Sequence, residues 1–468
     1  MGVLTLEMQV AGVESSMSDG FVLSDNILKN EINDNKFDST YSYKASKSLN
    51  DLDLFTKGQP FDFYKELREK APIYFHQPMP TDPEPGYWVL TKYEDIKYVS
   101  MNPKIFSSQY SSGNLLTLGN EENRHPKLFK STIDHMLNLD GEMHLGLRKE
   151  HMPFFKPGHV EELQKKVSVK VTELLDGIAP LGECNLVHHV SQQLPIFTLS
   201  EILGIPEEDR QKLVSWMEFL ELAQYFTYEM IKEQNEGKTD SSPDPAMIEM
   251  FNNMVDEMFD YGRFILKEKR KNPSDDLLSA IANAEIEGKE LTDEFLDGSW
   301  LLIIFAGNDT TRNTISGGIK LLHENQKQKE LLMHDSELLP NFIHETIRCV
   351  SPVIHMRRTS LQETEIRGQR IGPFEKISLW YGAANRDPDI FENPNEFNIL
   401  RENADKHLAF GIGRHTCLGK PIALMQLREF YSQFLTRFKD FELNGEWKVA
   451  PNNFVHAIQE MPIKYTPE

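Results

Sequence analysis

The stretch Phe410–Gly419 reads FGIGRHTCLG and places Cys417, one of only three cysteines in the chain, in a loop with three glycines. A helix-like run, Lys420–Arg437, follows directly. Glycines let the backbone turn sharply and pass close to a flat ligand, and the N-terminal end of a helix favours an anion. Both features suit a cysteine thiolate that binds a metal ion. The alternative is a buried structural cysteine beside a glycine turn, which is the usual role of a lone cysteine.

The composition limits the classes of partner. The chain has 468 residues, 39% of them hydrophobic, and its 72 acidic and 50 basic residues give a net charge of −22. This negative charge argues against nucleic acids and anionic membranes as partners. Three scattered cysteines do not form a disulfide framework, so we expect a reducing, cytoplasmic location. No apolar run reaches the ~20 residues of a membrane span and no secretory pattern is visible, so we expect no membrane anchor.

The chain divides into a polar tail and one folded domain. Residues 1–50 are rich in Ser, Asp and Asn and are predicted to be disordered. The folded domain is expected to span residues 51–468. Hydrophobic spacing predicts helices over Phe61–Lys70, Tyr93–Val99, Glu161–Asp176, Gln192–Leu203, Glu208–Leu222, Asn252–Lys269 and Thr292–Leu322, and strands over Ile73–Phe75, Tyr87–Leu90 and Val353–Thr359.

The centre of the long predicted helix Thr292–Leu322 is unusual. Thr292 is predicted to cap the helix. Gly307, Asp309 and Thr310 interrupt an otherwise apolar run, although glycine and threonine are poor helix formers. A threonine hydroxyl can bond to the carbonyl one turn back and open the helix locally, and a buried acid is costly unless it is used. The alternative is a helix with a satisfied polar patch.

Taken together, these motifs resemble the cytochrome P450 family. The cysteine stretch resembles the family's cysteine-ligand signature at Phe410, Gly413, His415, Cys417 and Gly419. The central helix resembles its oxygen-activation motif, and the resemblance covers about residues 51–468. It implies a mainly α fold with small β-sheets, in which haem b (iron protoporphyrin IX) lies between the long central helix and the cysteine loop.

The resemblance also implies roles for individual residues. Cys417 would bind the haem iron, Phe410 would shield the thiolate, and Asp309 with Thr310 would relay protons during oxygen activation. Ala306 and Gly307 would leave room for O2 above the iron. The residues expected to contact the haem are His144, Arg148, Ala306, Gly307, Arg358, Phe410, His415, Cys417 and Gly419.

Cationic side chains are predicted to hold the haem propionates. His144 and Arg148 lie four residues apart, so one helical face presents both as a cationic pair for a carboxylate. Asp140 precedes them as in the family, and either Arg414 or His415 can reach a propionate. Arg358 matches the family's other propionate ligand.

A second motif is structural. Glu345 and Arg348 form E-x-x-R on one helical turn, a spacing that is common and weakly stabilising when exposed. By resemblance, this pair binds a third residue in the loop before the cysteine and braces the proximal side of the haem. That loop is predicted at Asn385–Phe397, and Arg401 is the candidate partner.

Several segments are predicted to shape a substrate pocket. The irregular residues 107–135 are expected to form part of its wall, and the apolar cluster from Phe219 to Met230, before the polar break Gln234–Pro245, is expected to close over the substrate. The alternatives are a surface loop and an ordinary core cluster. Candidate substrate contacts are Val353, Ile354, Met356 and the turn Phe454–Ile458, with possible polar contacts from Asn308, His355, Asn453 and His456.

Electrons are expected to come from other proteins. The chain shows no fused flavin or iron–sulfur sequence, so the partners implied are a ferredoxin and its NAD(P)H-dependent reductase, besides O2 and a small-molecule substrate. A small basic patch on an acidic protein suits docking of an acidic ferredoxin. The predicted patch consists of Lys149, Arg414, Lys420 and Arg428.

The leading hypothesis is a monooxygenase that hydroxylates the end of an apolar chain, such as an alkane, a fatty acid or a sterol or terpenoid side chain. It rests on the resemblance of GNDTTRNTISGG, HMRRT and NFVHAIQEMPIKY to bacterial members of that type. One alternative is an oxidative O-demethylase that acts on a methoxylated polar compound, such as a methylated sugar, and releases formaldehyde. Another is a terpenoid-tailoring enzyme. A hypothesis of another class is a haem-thiolate sensor, which has no need of the proton relay at Asp309 and Thr310.

Overall fold

The computed structural model describes residues 43–77, 86–109, 125, 127–128, 131, 135–219, 245–286 and 288–467. It is mainly helical, as predicted. The helices are α1 (Phe61–Lys70), α2 (Tyr93–Met101), α3 (Gly141–His151), α4 (Pro157–Ile178), α5 (Gln193–Leu203), α6 (Pro245–Lys271), α7 (Leu277–Ala282), α8 (Asp293–Glu324), α9 (Gln326–His334), α10 (Leu339–Val350), α11 (Tyr381–Ala384) and α12 (Lys420–Arg437). Residues 210–219 are also helical.

The strands are short, and most of them are peripheral. They are β1 (Ile73–His76), β2 (Tyr87–Leu90), β3 (Phe106–Ser107), β4 (Glu183–Asn185), β5 (Glu285–Ile286), β6 (Lys289–Glu290), β7 (His355–Ser360), β8 (Thr364–Ile366), β9 (Gln369–Ile371), β10 (Lys376–Trp380), β11 (Glu442–Leu443), β12 (Lys448–Ala450), β13 (Ala457–Glu460) and β14 (Pro462–Lys464). The largest sheet has the order β1-β2-β10-β7-β3, with only β2 and β10 parallel. All four residues of β2 are buried, which explains its uninterrupted apolar sequence.

The central helix α8 is the main internal element of the fold. It packs against α5, α6, α10 and α12. Thr292 occupies the predicted cap position, but its side chain makes no capping hydrogen bond; only its carbonyl accepts one, from the Leu296 N–H at 3.0 Å. The helix is therefore stabilised by packing around it rather than by the predicted cap.

α8 and α12 are joined by a specific polar contact. The Tyr431 hydroxyl of α12 donates to the carbonyls of Thr314 and Ile315 of α8, at 2.8 and 3.0 Å. A Cβ on Gly318 would lie 2.0 Å from that hydroxyl, so only glycine permits this close approach. The contact fixes the helix that follows the cysteine loop against the helix that carries Asp309 and Thr310.

Several predicted boundaries differ from the structure. α1 and α12 begin and end at the predicted residues, whereas α6 begins at Pro245 instead of Asn252. The strand predicted from Val353 begins at His355, because Val353 forms only an isolated bridge with Val455.

The predicted tail and pocket segments lie mostly outside the described residues. This applies to residues 1–42, to most of 107–135, and to residues 220–244, which include most of the predicted lid and the polar break. Residues just before Asp51 do pack against the domain: Leu49 is fully buried, and its carbonyl accepts a hydrogen bond from Asn453 Nδ2 at 3.0 Å. Among the helices that the structure describes, none combines the length and apolar composition that crossing a bilayer requires.

The predicted triad of Glu345, Arg348 and Arg401 is present. The side chains of Glu345 and Arg348 have no exposure to solvent. Glu345 accepts two hydrogen bonds from Arg348, both at 2.7 Å, and two from Arg401 Nε, both at 3.1 Å. Burial alone would raise the pKa of Glu345, but the hydrogen bonds and charge of Arg348 outweigh it and lower the pKa. The remaining guanidinium N–H groups donate to carbonyls of Asn385, Glu392, Asn393, Pro394 and Glu396.

Replacing Glu345 with Gln is expected to destabilise the protein by about 3–5 kcal/mol, because two buried cations lose their shared anion. The free energy of unfolding, measured by urea titration of the haem-loaded protein, checks this. Glu162→Gln breaks an exposed ion pair with Lys165 and should cost at most about 1 kcal/mol. Equal losses for the two variants would contradict a bracing role for the triad.

Candidate active site

The cysteine loop depends on two glycines with left-handed backbone conformations. Gly411 has φ +67° and Gly413 has φ +80°, both outside the usual range for other residues. A Cβ on Gly413 would also lie 2.7 Å from the Ser100 carbonyl oxygen of α2. The loop closes on itself when the Cys417 N–H donates to the Phe410 carbonyl at 2.8 Å. This geometry fixes Cys417 at the start of α12.

The surroundings of the Cys417 sulfur contain both unfavourable and favourable influences on a thiolate. Burial raises the pKa of the Cys417 thiol above its usual value. Hydrogen bonds from the backbone N–H groups of Gly419 and Lys420, and the charges of Arg148 and Lys420, act in the opposite direction. Donors of this kind stabilise a metal-bound thiolate, and a coordinating metal deprotonates the thiol outright.

The cysteine loop and the central helix each carry an exposed residue that the predicted site requires. Cys417 is exposed, although neighbouring protein atoms bury its sulfur enough to raise its pKa. Ala306 is exposed in the middle of α8, a helix that is otherwise largely buried. An accessible cysteine and an accessible small residue on these two elements fit a large flat cofactor held by one sulfur ligand. In the part of the chain that the structure describes, no group of three His, Cys, Asp or Glu side chains could hold a metal ion instead.

His415 lies in a network with Asp140 and two serines. Its Nε2 is 3.3 Å from Asp140 Oδ1 and 3.1 Å from the Ser108 hydroxyl. Asp140 Oδ2 accepts from the Ser107 hydroxyl at 2.6 Å and from the Ser108 N–H at 2.8 Å. Burial would raise the pKa of Asp140, but these hydrogen bonds lower it. Ser107 and Ser108 were not among the predicted site residues, and no local signal marks them because they lie over 30 positions from Asp140.

The structure places close together the side chains that were predicted to hold the haem propionates. The rings of His144 and His415 are 4.3 Å apart, and Arg148 Nη2 donates to the Thr416 carbonyl at 2.8 Å. Arg358 is close enough to His415 for its charge to lower the pKa of that imidazole, after burial as the larger cause. Without a bound propionate, burial, with help from His415 and Arg148, lowers the pKa of His144 to about 4, so Arg148 carries the charge of the predicted pair. His144 is therefore a neutral hydrogen-bonding group near pH 7.

Asp309 and Thr310 lie next to Ala306 on α8. Burial raises the pKa of the Asp309 carboxyl, although Arg312 Nη2 lies 3.5 Å from it and opposes the shift. The Thr310 hydroxyl is 3.5 Å from the Ala306 carbonyl, which is at the limit of a hydrogen bond, and the Thr310 carbonyl accepts from the Thr314 hydroxyl at 2.7 Å. Within the described residues, no hydrogen bond or ion pair joins these two side chains to the cysteine loop.

Helix packing explains why residue 307 is a glycine, and the sequence did not reveal this. A Cβ at this position would lie 3.0 Å from Leu199 Cδ1, so its absence lets α5 approach α8 closely. The side facing α5 is therefore filled by Leu199. The accessible surface on this turn belongs mainly to Ala306, and room for O2 beside Gly307 stays a prediction.

Most of the polar side chains predicted for the substrate pocket are used elsewhere. His355 is buried, stacks on Trp380 at 4.7 Å and bonds through Nδ1 to the Asn453 carbonyl at 2.8 Å. Burial lowers the pKa of His355 to about 3. Asn453 donates to Leu49, and His456 lines a different cavity. Asn308 alone remains on the α8 turn, with Nδ2 3.3 Å from Asp309 and Oδ1 unpartnered.

The chain is similar to known proteins both in sequence and in structure. The family model for Cytochrome P450 matches residues 238–466. The chain is 31% identical to linalool 8-monooxygenase of Pseudomonas putida, over 90% of this chain and 99% of that protein. It is 29% identical to steroid C26-monooxygenase of Rhodococcus jostii, over 89% of this chain and 84% of that protein. The structure of Mycobacterium marinum CYP268A2 in complex with pseudoionone aligns with a TM-score of 0.78 and 29% identity, over 91% and 99% of the two chains.

The fold, the cysteine loop and these similarities define a haem-thiolate enzyme. The chain belongs to the cytochrome P450 family and is a cytochrome P450 monooxygenase with haem b as its cofactor.

Proposed function

We propose that this P450 hydroxylates the end of an apolar, branched carbon chain. The observation that carries the proposal is the apolar surface of α8 beside Ala306, where Leu302, Ile303 and Phe305 are only half-buried. Two of the polar side chains predicted to contact a sugar-like substrate, His355 and Asn453, are hydrogen-bonded in the core. Relatives named for linalool, for the C26 position of steroids and for the omega position of methyl-branched lipids support an apolar chain as substrate.

We infer that Cys417 is the iron ligand. Bound haem supplies the redox chemistry that activates O2 and inserts one oxygen atom into a C–H bond. The N–H groups of Gly419 and Lys420 would donate to an iron-bound thiolate and orient it. Phe410 begins the loop, with Lys420 Nζ 5.4 Å from its ring centroid, and would limit the access of water to the sulfur.

The propionates would be held by Arg148, Arg358, His144 and His415. The two arginines supply the positive charge, and neutral His144 supplies an N–H donor. Asp140 keeps the His415 ring oriented, since its carboxylate accepts from Nε2 while Ser107 and Ser108 fix the carboxylate. Buried anion sites in other proteins likewise combine charged groups with neutral hydrogen-bond donors.

Asp309 and Thr310 would deliver protons to the reacting centre. The raised pKa of Asp309 means that its carboxyl is protonated more readily than an exposed one and can pass a proton on. The weak bond of the Thr310 hydroxyl to Ala306 leaves that hydroxyl free to reorient.

The electron donors would be a ferredoxin and its reductase. Lys149, Arg414 and Arg428 are exposed, and no ion pair among the described residues neutralises them. On a chain with a net charge of −22, such cations favour an acidic partner at their face. The cytoplasmic location stays a prediction.

Cys417→Ser is expected to abolish the thiolate absorption band of the reduced carbonyl complex, because a serine hydroxyl remains protonated and is a poor ligand for iron. The measurement is the carbonyl difference spectrum of the purified protein. Cys184→Ser, which changes a buried cysteine of β4, is the matched control and should retain the band. Retention of the band in Cys417→Ser would disprove the ligand assignment.

Thr310→Ala is expected to lower the yield of product per O2 consumed by about tenfold, with the lost oxygen appearing as hydrogen peroxide, because proton delivery is impaired. Oxygen uptake, peroxide and product are measured together. Thr314→Ala removes a hydroxyl with the same backbone bond one turn later, outside the proposed relay, and should stay coupled. Unchanged coupling in Thr310→Ala would remove Thr310 from the relay.

The substrate class is tested by difference spectra of the ferric protein. Alkanes, fatty acids and branched terpenoid alcohols are titrated against methoxylated sugars, and a low-to-high-spin shift reports a ligand beside the iron. We expect the shift only with apolar chains, and a terminal alcohol as product when ferredoxin and reductase are supplied. A shift with methoxylated sugars alone, with release of formaldehyde, would replace this proposal with an O-demethylase.

A further inference from the structure

A cavity of about 1120 Å³ is lined by no residue of the cysteine loop. It is bounded by the start of α1, the C-terminal part of α8, the end of α10 and the hairpin β12–β13. None of the residues predicted to contact the haem lines it. The lining residues that matter here are Phe61, Leu321, Arg386, Trp447, Lys57 and Lys327.

Arg386 is a buried cation without an anion. The residue is 7% exposed, and its Nη1 has no hydrogen-bond partner in the part of the chain that the structure describes. Among the described residues, no carboxylate lies within ion-pairing distance of it. Its guanidinium carbon lies 3.4 Å from the centroid of the Phe61 ring, a contact that compensates only part of the lost hydration.

Arg348, in the same region of the fold, is a buried cation that does have a carboxylate partner. It is fully buried and bonded to Glu345, and the nearby Cys349 and Glu345 outweigh burial and raise its pKa. Burial instead lowers the pKa of Arg386 to about 10. Cys349 lies near both arginines, but burial raises the pKa of its thiol, which makes it a weaker partner for Arg386 than a carboxylate.

The rest of the cavity wall adds positive charge and aromatic surface. Lys57 and Lys327 are exposed at the cavity, and no carboxylate among the described residues forms an ion pair with them. Lys320 pairs with Glu324 and lies 4.5 Å from the Trp447 ring centroid. Glu396 is the other carboxylate of the lining, so the lining carries four basic and two acidic side chains on a strongly acidic protein.

We propose that this cavity binds an organic carboxylate with an apolar body, whose carboxylate pairs with Arg386 and whose body contacts Phe61 and Trp447. A planar guanidinium matches a carboxylate with two parallel hydrogen bonds. The site lies outside the haem pocket and does not depend on the identity of the substrate.

The test is calorimetric titration of the haem-loaded full chain with 3-phenylpropionate, with the iron saturated with imidazole so that the haem pocket is occupied. We expect binding that 3-phenylpropanamide, the neutral analogue, does not show. Inorganic phosphate, an anion without an apolar body, should bind more weakly. No heat with the carboxylate, or equal heat with the amide, would overturn the proposal and leave Arg386 solvated by water alone.

Variants locate the binding. Arg386→Met keeps the volume and removes the charge, and it should weaken binding of the carboxylate by about tenfold or more. Lys57→Gln with Lys327→Gln changes only the cavity rim and should weaken binding about twofold, more at low salt. Lys165→Gln, on α4 and remote from the cavity, is the control. Unchanged binding of the carboxylate in both the rim variant and Arg386→Met would refute the site. If Arg386→Met does not retain haem, the proposal is judged from the rim variant and from the comparison of the carboxylate with the amide.

Discussion

The fold around the cysteine depends on one buried carboxylate shared by two guanidinium groups. Glu345 accepts from Arg348 and Arg401 with no exposure to solvent, and its two partners use their remaining N–H groups on the carbonyls of residues 385–396. A loop without regular structure would otherwise bury unpaired carbonyls, which is costly. The triad satisfies them, so the chain that leads to the cysteine loop can be both irregular and fixed.

The features that were predicted correctly rest on local information. The ends of α1 and α12 follow from hydrophobic spacing and from a proline at or just before the first turn, which suits a helix start because its missing N–H would have no partner there. The cysteine loop could be recognised because its glycines, at positive φ, can be replaced only with strain. The triad followed from one i,i+3 pair and the family pattern, although the carbonyls that it binds could not be identified from spacing.

What the sequence did not reveal concerns side chains whose partners are far away in sequence. Asp140 stands at the N-terminal cap of α3, where an aspartate normally accepts from its own helix, yet it makes no capping bond and binds Ser107 and Ser108 instead. His355 looked available to a substrate, but the chain returns 98 residues later and places the Asn453 carbonyl against it. Burial likewise makes His144 neutral. None of these contacts leaves a trace in local hydrophobic patterns.

The central helix α8 carries two regions with different chemistry. Ala306 is exposed beside half-buried apolar residues, and the turn at Gly317 to Leu321, about 16 Å further along the axis, lines the cavity of Arg386. Arg348 and Arg386 lie in the same part of the fold, but only Arg348 has a carboxylate partner. An unpaired buried charge lowers the free energy of unfolding, so an apolar residue in place of Arg386 would make the protein more stable. The presence of the cation therefore indicates that it has a function. Arg386 lines a cavity that no residue of the cysteine loop lines, so this use need not be the oxygenation itself.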